Sequence, residues 1–106
     1  MRRADENRNR AAEHELMAPS EDELIAQYIE LNPYQSGHGD AWIVGHGVPV
    51  WAIIGAMHAA GTTDAIVEQT AAEYQLPVDA VRAAVAYYHR QIDVINARIM
   101  ANTAGA

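Results

Sequence analysis

The chain has 106 residues, half of them apolar, a formal net charge of −7, and neither cysteine nor lysine. A disulfide framework and a cysteine-based zinc site are therefore excluded, and a phosphate loop ending in Gly-Lys-Ser/Thr lacks its lysine. The sign of the charge opposes binding to nucleic acid through a broad positive field. No apolar run reaches the roughly 20 residues of a bilayer span. No apolar segment of signal-peptide length follows the basic start, so a cytoplasmic location away from the membrane is the expectation.

Charge is unevenly placed. Arg2, Arg3, Arg8 and Arg10 stand within a polar first tract, residues 1–19, that reads as a mobile arm. Next comes "SEDELIAQYIELNP", in which Ser20 and Glu23 have capping-box spacing and the acids Glu21 and Asp22 favour the positive end of the helix they open. Leu24, Ile25, Tyr28, Ile29 and Leu31 give that helix an apolar face, and Asn32-Pro33 ends it. A docking helix over residues 20–32 is predicted, with Leu24 and Tyr28 as candidate partner contacts.

Glycines interrupt any helical period between Pro33 and Val48. "DAWIV" and "VPV" flank Gly45-His46-Gly47, which predicts a small two-stranded ribbon closed by a glycine turn. Pro49 has no amide hydrogen, so the returning strand is an edge or ends there. Helical spacing resumes at residue 50 and closes at Gly61, and "TTDAIVEQTAAEYQL" then gives a second helix capped by Thr62 or Thr63. Pro77 opens a third that reads unbroken to Asn102, followed by a short flexible tail.

From Val78 to Ile99 apolar residues recur at alternating spacings of three and four. As one helix this is a rod of about 33 Å, longer than the two short helices before it can cover. Its second half, with Ile92, Ile95 and Ile99, is expected to pack on another subunit, on the first helix or on a protein partner. A small core also favours oligomers.

The stretch "SGHGDAWIVGHGVPVWAII" looks chemical, and His38, Asp40 and His46 are candidate ligands for zinc or iron. They sit in predicted loops without a His-x-x-x-His pair, so a turn explains the glycines better and no metal is expected. Ser36 and His38 share only closeness in sequence, Ser20 is a cap, and Asp79 and Asp93 lie too far apart to flank one bond. No catalytic residue, no cofactor and no enzyme activity are expected.

"TTDAIVEQTAAEY" and "QLPVDAVRAAVAYY" together have the length and tight turn of a helix-turn-helix. On its expected exposed side the second helix would carry Asp79, Arg82, Ala83, Ala86 and Arg90. The candidate DNA-contact residues are therefore Arg82, Ala83, Ala86 and Arg90, supplemented by the arm arginines. Helix pairs of this kind equally serve packing alone.

Residues 39–99, with the glycine turn before "VPVW", the helix ending at Gly61, "AAEYQLPVDAVRAAVAYY" and "HRQIDVINARI", resemble the bacterial DUF433 family. The resemblance implies a mainly α, homeodomain-like three-helix core with a short β-hairpin and an N-terminal helix before it and a long C-terminal helix, the family-like part spanning residues 33–100. It also implies an antitoxin that binds a PIN-like or Mut7-C-like ribonuclease toxin, and the helix-turn-helix reading adds operator DNA as a candidate second partner through which the chain would repress its own operon. One departure is Gly47, where the family's turn resembles Gly-Thr-Arg or Gly-His-Arg; glycine cannot supply that guanidinium. A free-standing dimeric regulator and a non-DNA assembly module are the competing expectations.

Overall fold

The computed structural model describes residues 19–34 and 37–104. The expected arm arginines and Ser36 lie outside the described residues. Helix α1, Glu21–Tyr28, begins with a complete capping box: Ser20 Oγ accepts from the Glu23 amide and the Glu23 carboxylate accepts from the Ser20 amide, each at 3.2 Å. Strand β1, Ile29–Glu30, follows at once, so the helix expected to reach residue 32 stops at Tyr28. The reason is tertiary. Ile29 and Glu30 pair antiparallel with Ile43 and Trp42 of strand β2, Trp42–Ile43, and the Trp42 indole donates to Glu30 Oε2 at 2.8 Å.

The expected ribbon across the glycine turn is present in compressed form. Trp42 bridges Pro49, and the Ile43 amide donates to the Val48 carbonyl at 2.9 Å. It goes no further because Pro49 offers no amide and helix α2, Val50–Met57, starts immediately after it. Gly45 and Gly47 both have positive φ, 79° and 69°, which is what the turn requires of them. Just before β2, a single 3-10 turn covers His38–Asp40.

Val50, Ile53, Ile54 and Met57 bury one face of α2. Thr63 caps α3, Asp64–Tyr74, through the Ile66 amide. The C-terminus of α3 closes without glycine: Gln75 takes the left-handed conformation, its amide and that of Leu76 return to the carbonyls of Ala72 and Ala71, and Leu76 is buried beneath. Pro77 is the residue that leads into α4, Val78–Arg90. Helices α3 and α4 are thus joined by the tight turn the sequence indicated, and the architecture is mainly α as expected.

The long last helix is where expectation and structure part. Gln91 has φ −131° and ψ 40°, and α5, Ile92–Ala104, departs from it in a new direction. The 33 Å rod is therefore absent. Instead, α5 folds back onto α2 and the 3-10 turn. Ile95 is fully buried in the same core as Ile43, Ile53 and Val81, and α5 continues through residues expected to form the flexible tail.

Candidate interaction surface

The α4 face comes first, because the sequence placed a DNA reader there. Residues 80, 81, 84 and 87 face the core, while Ala83 and Ala86, 0% and 3% exposed, are buried on the flank against which α1 packs. Their expected exposure is corrected: α1 covers that flank, and the small alanine side chains let it come close. Arg90 is drawn to the same helix, pairing with Asp22 and, at 3.5 Å, with Glu21. The Asp22 hydrogen bond is the main reason that its guanidinium holds its proton more tightly than usual.

What stays exposed on α4 is Arg82, with His89 and Arg90 at its end, while Val78 and Val85 are half-buried against the core. Arg82 donates to Asp79 at 3.2 Å. A hollow of about 230 Å³ beside it is lined by Glu21 and Asp64 as well as by Arg82 and Val85. Two carboxylates against one paired guanidinium make this a poor phosphate seat.

The apparent metal ligands have other work. His38 Nδ1 lies 2.7 Å from the Tyr87 hydroxyl, and burial pushes the Tyr87 pKa up. Asp40 accepts from Arg98 Nε at 2.9 Å, and the Arg98 guanidinium stacks over Trp51 at 5.3 Å. His46 is exposed at the turn. Among the described residues no three histidine, aspartate or glutamate side chains gather as a metal ion would need. The 3-10 turn thus serves as a clasp, His38 holding α4 and Asp40 holding α5.

Two hollows with apolar linings lie along α2 and α5. One hollow of about 380 Å³ is lined by Trp51, Gly55, Ala56, Tyr74 and Ile99, and a second of about 310 Å³ by His58, Asn96, Ile99 and Met100. Ile99 borders both, and Met100 is 70% exposed. Of the expected partner contacts, Ile92 and Ile99 do reach the surface. Ile95 and Leu24 do not: both are buried within their own chain, and half-buried Tyr28 packs on the same core. Sequence reasoning missed Gly55 and Met100, one bare and one off the apolar stripe. The available signal was the run Ala52, Gly55, Ala56, which leaves part of an otherwise apolar helix without bulk.

Residues 29–88 match the family model described as a protein of unknown function, DUF433. The chain belongs to the DUF433 family. No curated protein and no solved structure gives a significant match. The DUF433 match opens at β1, four residues before the expected boundary at 33, and closes two residues before the end of α4. Helix α5 lies beyond it, as do Ile92, Ile95 and Ile99. The α2–α5 hollows therefore join a helix inside the DUF433 match to one outside it. Among the described residues, no helix is long and apolar enough to cross a membrane.

Proposed function

We propose that the chain is a protein-binding antitoxin that seats its α2–α5 face on a ribonuclease toxin and blocks the toxin's RNA cleft. The observation that carries this reading is the apolar strip of exposed Gly55 and Met100 with half-buried Ile99 between α2 and α5, bordered by aromatic Trp51 and Tyr74. Exposed apolar surface of this kind, with aromatic side chains at its margin, is what a protein partner buries. The net charge of −7 supports the same choice, since a cleft that admits RNA is basic. Its role is binding, with no catalysis of its own.

Operator contact is not assigned to α4, whose flank is occupied by acidic α1. The test is to express the chain with the ribonuclease-like protein encoded beside it and to follow RNA cleavage. Wild-type chain is expected to co-purify with the nuclease and suppress cleavage. Met100→Asp and Gly55→Arg are expected to weaken inhibition by tenfold or more, about 1.4 kcal/mol or greater, with an unchanged melting temperature. Failure of the wild type to inhibit rejects the antitoxin reading; full inhibition by both variants rejects this face.

A further inference from the structure

The spacing of apolar residues and the bend at Gln91 specify two different shapes. From Val78 to Ile99 the alternation of three and four continues through the bend without a fault, as in one continuous helix with a single apolar seam. In the folded chain that seam is broken. Ile95 is fully buried, whereas Ile92, one turn earlier on the same seam, is 44% exposed.

Nothing local causes the bend. Sharp helix kinks arise at proline, at glycine or serine, or where a group inserts into the ladder, yet the bend falls in Arg90-Gln91-Ile92, all ordinary helix formers. The bend is imposed by what α5 touches. Arg98 holds Asp40 and Trp51, Tyr88 donates across the bend to Asn96 at 2.9 Å, and the Val94 side chain covers Gly39. These contacts join α5 to α2, α4 and the 3-10 turn, and a second copy offers the same residues in the same places.

We propose that α5 is an exchangeable helix: with Gln91 straightened, α4 and α5 become one rod and α5 seats on the 3-10 turn and α2 of a second copy, which returns its own α5. The contacts α5 makes with the 3-10 turn and α2 are then made between chains instead of within one. Joining the helices also gives the amides at the start of α5 the helical partners that any helix N-terminus lacks, and restores Ile92 to an unbroken seam. Association entropy opposes this, so the exchanged dimer forms with rising concentration. The proposal does not depend on the antitoxin reading, because the α2–α5 face is preserved and is merely built from two chains.

The chain contains no cysteine, so an engineered pair reports without ambiguity. A Cβ built on Gly39 would stand 3.7 Å from Arg98 Cβ, within the roughly 3.5–4.5 Å span of a disulfide. Gly39→Cys with Arg98→Cys is oxidised after incubation over a range of concentrations and run without reductant. Exchange predicts a covalent dimer that grows with concentration; an intrachain bridge at every concentration, even with Gln91→Ala added, overturns it. Light scattering of the cysteine-free Gln91→Ala and Gln91→Gly chains gives the second readout. Helix preference differs about 5-fold per hinge, hence about 25-fold in dimer dissociation constant, with alanine the tighter. Equal constants, or monomers throughout, overturn the proposal even if the cysteine variant fails to fold.

Discussion

Helices α4 and α5 are neighbours of equal length, 13 residues each, and they are used in opposite ways. In α4 six residues are buried, on two flanks, so that the helix is enclosed by α1 on one side and by α2 and α3 on the other. Among the described residues of α5, Ile95 is fully buried and half-buried Ile99 packs against the core, while Ile92, Val94 and Met100 remain outside. The helix that looks like a reader is committed to the fold, and the helix that looks like a continuation of it carries the free surface. A substitution in α4 should therefore register as stability, and one at an exposed α5 position such as Met100, in contrast to Ile95, as binding.

Ile95→Ala tests that contrast and should cost the most, about 2–5 kcal/mol in chemical denaturation, the usual range for deleting a fully buried isoleucine side chain. A loss under about 1 kcal/mol would mean that α5 is not anchored to the core. Ala83→Leu comes next. Forcing three carbons under α1 should cost about 1–3 kcal/mol and speed amide exchange over residues 21–28; a neutral outcome would return Ala83 to the exposed face that the helical pattern first suggested.

Tyr87→Phe sharpens the comparison at the clasp. Losing the hydroxyl at His38 should cost about 0.5–1.5 kcal/mol at neutral pH. Burial raises the folded-state pKa of Tyr87 above its ordinary value of 10.0. As pH rises past that value the unfolded chain gives up this proton first, so the stability of the wild type falls there. The variant lacks that contribution and should decline less steeply with pH; parallel curves would remove Tyr87 from the alkaline response. Met100→Asp should have the smallest effect on stability, within about 0.5 kcal/mol, because its side chain already meets water.

What could be read from the sequence was set by neighbours along the chain. The Ser20 and Thr63 caps, the Gly45–Gly47 turn and the buried face of α2 each depend on chemistry within a few residues. What could not be read depends on distant partners. Ile29 becomes a strand because Ile43 lies opposite, and Gln91 bends because Arg98 finds Asp40. Ala83 and Ala86 are ambiguous by nature, since alanine fits an exposed helix face and a close helix contact equally well. At the candidate surface the apolar stripe pointed to Ile92 and Ile99, but burial of Ile95 and exposure of Met100 follow from the direction of α5, which no local pattern encodes.

The most direct test of the central claim is amide hydrogen exchange on the full chain, alone and saturated with the adjacent ribonuclease, with duplex operator DNA as a parallel sample. Protein binding through the α2–α5 face predicts that the nuclease protects amides of residues 51–58 and 95–102, leaves residues 78–90 unchanged, and has no counterpart in the DNA sample. Protection confined to residues 78–90, by either the nuclease or the duplex, would contradict it.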